Sequence, residues 1–360
     1  MNLYTLLIKP ILFRFEPEFV HDRFVKLGYF LGKFEITKNI ISKFFVYKDD
    51  ILHQEILGIK FENPIGLAAG FDKNAELTNV IPSVGFGHME VGSITSKPCK
   101  GNPRPRLWRL KESKGLLVYY GLKNDGAEII SNRLQKKDFD IPVSTSIAMT
   151  NCKENLDLEV AIKDYCDGFL KFVDIGAFFT INISCPNTEG GQPFMNPQNL
   201  DHLLSFIDKI PTKKPIFIKI SPDVEIPILD KILDVAKTHR VHGIICSNLT
   251  KNRNNEKIVE NNLINRGGIS GKPVQDISDN LISHIYKKAG DRFVTIGCGG
   301  VFSAQDAYKK IRLGASLIHM ITGMIFEGPS VINKINRELA KLLRKDGFKN
   351  IKEAIGIDSH

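Results

Sequence analysis

The sequence predicts a (β/α)8 TIM barrel with a small N-terminal helical extension. Three observations carry that expectation. Eight short β-prone runs lie between residues 65 and 321, helical stretches separate most of them, and residues 1–48 follow a different, helical pattern. Eight βα units within about 300 residues favour a closed barrel over an open doubly wound sheet. The expected organisation is an amphipathic helical segment over 1–48, a barrel over 49–345 and a C-terminal tail over 346–360.

In the N-terminal segment, Leu3, Leu6, Leu7, Ile11 and Leu12 recur at helical spacing, and so do Phe19, Arg23, Phe24, Leu27, Phe30 and Leu31. Pro17 stands where a helix can start. Such helices suit either a cap packed on the main domain or an in-plane membrane attachment flanked by Lys and Arg. The opening run does not read as a signal peptide, because Lys9, Pro10 and Arg14 interrupt it and no small-residue cleavage site follows. No apolar run approaches the roughly 18 residues needed to span a bilayer.

The expected strands are 65–69, 88–92, 143–148, 179–183, 216–220, 243–246, 294–297 and 317–321. The expected helices include 156–172, 199–210, 226–239, 277–288 and 304–313. A formal charge of +9 suits an anionic ligand or surface, but no lysine-rich block interleaved with aromatics points to nucleic acid. Six cysteines without CxxC or Cys/His spacing argue against a zinc site and against a disulfide framework.

Barrel chemistry sits at the C-terminal strand ends, and here those ends are unusual. The fourth run ends in FFTINISCPN, which crowds Asn182, Ser184, Cys185 and Asn187 together. The fifth carries Lys219 among isoleucines, where an inward ammonium needs an anionic partner. Glycine clusters at 267–271, 297–300 and 323 suit close backbone approach to a phosphate.

Taken together, the N-terminal helical pattern and the strings NPIGLAAGFDKN, PRPRLWRL, INISCPNT, IKISPD, GGISGKP and IGCGGV resemble dihydroorotate dehydrogenase, in particular its membrane-associated, quinone-reducing class 2. The resemblance implies FMN in the barrel mouth, its phosphate on Gly271, Gly299, Gly300, Thr322 and Gly323 and its ring near Ala68, Ala69, Gly70, Ser93, Asn182, Lys219 and Ser247. It further implies a dihydroorotate-like substrate held by Lys73, Asn182, Asn187 and Asn248. Cys185 would be the catalytic base, and Lys219 would offset charge on the reduced flavin. His21 and Arg109 match positions at a quinone tunnel. The implied location is peripheral, at the cytoplasmic face of a bacterial-type inner membrane, with the N-terminal helices on the lipid.

Five departures stand against the family pattern. Cysteine at 185 is the mark of the soluble class 1, whereas class 2 generally uses serine. Val118, Tyr119 and Tyr120 replace a stretch that normally supplies a substrate amide, Ser146–Thr150 replaces one that supplies an amide to FMN, and Leu249 and Ile321 replace a threonine and a tyrosine. A lost hydrogen bond to a bound polar group costs roughly 1–3 kcal/mol, so these positions leave open a paralogous FMN enzyme acting on another ring, or a non-catalytic flavoprotein.

Overall fold

In the computed structural model, which describes residues 3–359, the eight runs form a closed, wholly parallel barrel. Its strands are β1 (Ile65–Leu67), β2 (His88–Ile94), β3 (Val143–Ile147), β4 (Phe178–Asn182), β5 (Ile216–Lys219), β6 (Gly243–Cys246), β7 (Val294–Cys298) and β8 (Leu317–Met320), each paired with its sequence neighbour and β8 with β1. Each expected strand is present, with ends displaced by at most two residues, within the usual margin where pairing gives way to a loop.

Side chains alternate along a strand, so every second residue faces the barrel axis. Phe178, Phe217, Ile245, Ile296 and Leu317 meet in one such layer with Phe61, from the hairpin Gln54–Ile56/Ile59–Phe61, and close the N-terminal end. Two residues further along the strands the interior turns polar, with Thr180, Lys219, Cys298 and His319. The change from apolar floor to polar middle places the reactive end of the barrel.

The outer helices follow their caps. Asp157 accepts from the amides of Glu159 and Val160 to start the helix Leu158–Leu170, Asn196 caps Pro197–Ile207, and Ser303 caps Ala304–Arg312. The sequence reading missed a three-stranded antiparallel sheet over the barrel mouth, built from Leu107–Leu110, Gly115–Val118 and Gly268–Gly271. Beyond the helix Val331–Lys345 the chain stays packed: Ile351 and Ala354 are buried, and Arg312 pairs with Asp358.

Helices α1 (Pro17–Leu31) and α2 (Glu35–Phe45) lie against this roof and the first βα loop. Glu16 caps α1 by accepting from the amides of Glu18 and Phe19. Gly28 permits close approach, since a Cβ there would lie 2.7 Å from Leu77. The anchor is Glu18, 1% exposed, which accepts from Arg106 Nη2 at 2.8 Å and from Arg104 at 3.1 Å, with Lys123 at 3.7 Å. The rest of the segment exposes Phe24, Leu27, Phe30, Phe34, Ile36, Ile40 and Phe44. Among the described residues no helix is long and apolar enough to cross a membrane.

Burial opposes ionisation of Glu18, but hydrogen bonds and charge from Arg106 and then Arg104 outweigh it and hold the carboxyl below its ordinary pKa. Its stabilising effect is therefore complete above the ordinary glutamate range and is lost as pH falls through the lowered value. Glu18→Gln, which leaves Arg106 without its anion, should weaken the docking of α1 by roughly 3–5 kcal/mol. The expected observation is faster proteolysis of the N-terminal helices at neutral pH with the barrel intact; an unchanged cleavage rate would assign the docking to apolar contacts alone.

Candidate active site

One cavity opens at the C-terminal strand ends beneath the roof, with about 1310 Å³ of free space including its solvent-open mouth. Seventeen of the eighteen expected site residues line it: His21, Ala68, Ala69, Gly70, Lys73, Ser93, Asn182, Cys185, Asn187, Lys219, Ser247, Asn248, Gly271, Gly299, Gly300, Thr322 and Gly323. Arg109 is the exception. It lies on the roof, donating to the carbonyl of Phe15 at 2.8 Å with its guanidinium 4.6 Å from the Phe13 ring.

A polar network joins the strand ends. Asn182 Nδ2 donates to Ser93 Oγ at 2.8 Å, and Ser93 pairs with Ser146 Oγ at 2.7 Å. Asn248 Nδ2 reaches both Asn182 Oδ1 at 3.2 Å and Ser184 Oγ at 3.0 Å, while Ser184 Oγ donates to the carbonyl of Lys219 at 2.7 Å. These bonds tie β2, β3, β4, β5 and the β6 loop into one frame, which orients the amides before anything binds.

Asn187 shows how the altered loop is accommodated. Its Nδ2 donates to the carbonyl of Val118 at 2.9 Å, so backbone stands where a family amide is missing, and its buried Oδ1 has no hydrogen-bond partner among the described residues. Tyr120, 9% exposed, also lines the cavity, and its buried hydroxyl has no hydrogen-bond partner among the described residues. Burial pushes that phenol up, so it stays protonated. Unsatisfied polar atoms in a cavity wall mark a place for a polar ligand.

Lys73 Nζ sits 4.1 Å from the Tyr120 ring centroid and 3.2 Å from His21 Nε2. An ammonium only donates, so Nε2 accepts and the imidazole proton rests on Nδ1. Burial, then the charges of Lys73 and Lys123, holds His21 well below its ordinary pKa and hence neutral. Burial, then Lys123, lowers Lys73 to about 8. Cys185 is pushed up to about 11, by burial first, with the amide of Asn187 and the charge of Lys219 opposing. Its resting thiol is thus a weaker acid than an unperturbed cysteine.

The glycine positions fit a phosphate-bearing group. Gly271, Gly299 and Gly300 have φ of +86°, +133° and +71°, and a Cβ on Gly300 would lie 2.3 Å from Gln275 Cβ. Thr322 Oγ1 pairs with Ser270 Oγ at 2.8 Å beside them.

The sequence reading counted Glu18 among the N-terminal residues of the family resemblance but gave it no role, and did not identify Tyr120 as an unpartnered hydroxyl or the two buried ionisable groups Glu90 and His319 below Lys219. Alternation along β2 carried a signal for Glu90: His88 and Glu90 share one face of a fully buried strand.

Barrel, roof and polar mouth define the class as a TIM-barrel enzyme with its chemistry at the C-terminal strand ends. A family model described as dihydroorotate dehydrogenase matches residues 51–343, and the chain belongs to that family. It is similar to the dihydroorotate dehydrogenase (quinone) of Natronomonas pharaonis, 36% identical over 361 residues, 99% of this chain and 100% of that protein. The protein of the same name from Christiangramia forsetii is 38% identical over 345 residues, covering 94% and 98%. Among solved structures, Eimeria tenella DHODH in complex with ferulenol superposes with a TM-score of 0.85 at 30% identity, covering 95% of this chain and 96% of that one.

The shifted thiol gives a direct check. Alkylation of Cys185, followed site by site by mass spectrometry, should be slow at neutral pH and climb about tenfold per pH unit toward about 11. A plateau near pH 8.5 would mean that burial does not govern this thiol.

Proposed function

We propose that this chain oxidises dihydroorotate to orotate with FMN bound in the barrel mouth, and passes the electrons to a membrane quinone. The observation that carries the reading is the meeting in one cavity of three features: a glycine-lined cradle, a buried lysine and a frame of amides. When bound, FMN supplies a two-electron acceptor for hydride. The positive-φ glycines and Thr322 would hold its phosphate, and Ala68, Ala69, Gly70, Ser93, Asn182 and Ser247 its ring.

The chain's own residues do the rest. Lys219 places a fixed cation where negative charge develops on reduction. Lys73 receives the substrate carboxylate; the arriving anion stabilises the ammonium that burial has weakened, and neutral His21 accepts a hydrogen bond from that ammonium without adding a competing charge. Asn187 Oδ1 offers the free acceptor for a ring N–H, while Asn182 and Asn248, already oriented, complete the pairing with the ring's polar edge. Cys185 removes the proton from the carbon next to the carbonyl. Its thiolate is scarce at neutral pH and strongly basic once formed.

For the electron acceptor, the names of the curated relatives support a quinone. His21 at the cavity wall and Arg109 on the adjoining roof would border its path, and the apolar face of α1 and α2 would rest on the lipid. Peripheral attachment at the cytoplasmic face of the inner membrane follows from this reading, with flanking lysines and arginines toward anionic headgroups.

Anaerobic addition of dihydroorotate to the flavin-loaded protein should bleach its visible spectrum. Persistence of the oxidised spectrum would reject this substrate and favour a different ring, consistent with the apolar Val118 and Leu249 in the wall. The rate of bleaching should rise about tenfold per pH unit through the neutral range, and Cys185→Ser should slow it far more than it weakens flavin retention; equal losses would make Cys185 structural. Replacing Phe30 and Phe34 by Glu should abolish sedimentation with anionic lipid vesicles and quinone turnover while leaving bleaching by substrate intact. Full quinone turnover by that variant would remove the membrane role of the helices.

A further inference from the structure

Below the cavity floor lies a cluster of ionisable side chains that the chemistry above does not use. Glu90 on β2 and His319 on β8 are both fully buried, with Glu90 Oε2 3.3 Å from His319 Nδ1. The contact lacks hydrogen-bond geometry, and neither the carboxylate nor the imidazole has a hydrogen-bond partner among the described residues. Lys219 on β5 is the cation acting on Glu90. Lys219 and His319 both line the cavity.

We propose that Glu90 is a redox-linked proton site: held against His319 beneath Lys219, its carboxyl takes up a proton from solvent when the bound cofactor gains negative charge, and returns it on reoxidation. The proposal rests on the flavoprotein reading above. Its basis is a count of charges in a space that excludes water. With the cofactor oxidised, one ammonium, Lys219, faces one anion, Glu90. A hydride brings two electrons and one proton, so reduction adds one negative charge next to the same ammonium. One buried cation then faces two anions, and an uncompensated buried charge is costly. A proton on Glu90 restores one cation against one anion. The second proton lost by the substrate goes to the base, and the proton on Glu90 comes from solvent through the cavity mouth.

The surrounding groups favour the carboxyl over other carriers. The hydroxyls of Thr180 on β4 and Ser146 on β3 face Glu90 and can donate to the carboxylate or accept from the acid, while the amide of Ala69 after β1 can only donate. Burial raises the Glu90 pKa, with Lys219 opposing, so the site favours proton uptake on this carboxyl more than an exposed carboxyl would. Cys298 on β7, near both Lys219 and Glu90, is pushed up by burial and stays a thiol. His319 is held well below its ordinary pKa by burial, then by His88, whose ring lies 5.0 Å away, and by Lys219. His319 is thus a positioning residue rather than the carrier.

The test is a spectroscopic redox titration of the flavin-loaded protein against pH. A two-electron couple shifts by about 30 mV per tenfold change, so one linked proton gives about 30 mV per pH unit and two give about 59 mV. The wild type should show about 59 mV per unit over the pH interval in which Glu90 responds. Glu90→Gln should fall to about 30 mV throughout, and His319→Gln should keep the steep slope with its limits displaced. A wild-type slope of about 30 mV throughout, an unaltered slope in Glu90→Gln, or loss of the steep slope only in His319→Gln would each overturn the assignment. Should Glu90→Gln not fold, the wild type decides alone: its reduced-minus-oxidised infrared spectrum should gain a protonated-carboxyl stretch, and a spectrum without one refutes the proposal. Wild-type protein that holds no flavin would refute the functional reading and the proposal with it; a loaded protein that fails these readouts refutes the proposal only.

Discussion

An ammonium inside a closed barrel cannot stand alone, and the mouth of this barrel is arranged around that constraint. Lys219 is 6% exposed at the end of β5. Below it, Glu90 provides the opposing charge from β2; beside it, its own carbonyl accepts from Ser184, whose hydroxyl also receives Asn248. The lysine's main chain thereby fixes the amide frame, and its side chain fixes the electrostatic sign of the floor. A neutral residue at 219 would leave Glu90 buried without compensation, so floor and frame depend on the same position.

The parts legible in the sequence are those that repeat or that concentrate chemistry locally. Short, mostly apolar β-prone runs marked all eight strands, since a parallel strand buried on both faces has few other compositions open to it. Strand-end residues such as Asn182 and Cys185 stood out because a polar cluster after an apolar run is a local signal. What escaped notice depends on distant pairing. The roof strand Gly115–Val118 takes its partners from Leu107–Leu110 and from Gly268–Gly271, about 150 residues onward, and nothing within its four residues announces either. Glu18 reads as a surface residue in a helical pattern until Arg106, 88 positions away, closes on it. Glu90 was passed over inside a short run, His88–Gly92, that was read as a barrel strand.

The departures from the family pattern acquire physical meaning once the roof is in place. Val118 supplies no side-chain amide, but its carbonyl takes the Asn187 amide group and leaves Asn187 Oδ1 open. Ser146, in place of a longer amide, joins the frame one residue back by pairing with Ser93. Tyr120 adds a donor that stays protonated beside Lys73. At these three positions the change redirects or supplies a polar contact, while Leu249 and Ile321 make their parts of the wall apolar.

Cys185 shows where the balance between these effects lies. A thiol is intrinsically easier to ionise than an alcohol, and that advantage is greatest when the thiolate is solvated or paired with a cation. Here the side chain is set between Ser184 and Pro186 under a roof that removes water, and the loss of solvation outweighs the pull of Lys219 and the Asn187 amide. The same burial that makes the thiolate rare makes it a stronger base toward a carbon acid, whose own proton is poorly acidic. The roof, anchored through Glu18, Arg106 and the N-terminal helices, therefore acts on the chemistry through the dielectric around Cys185 as much as through any direct contact.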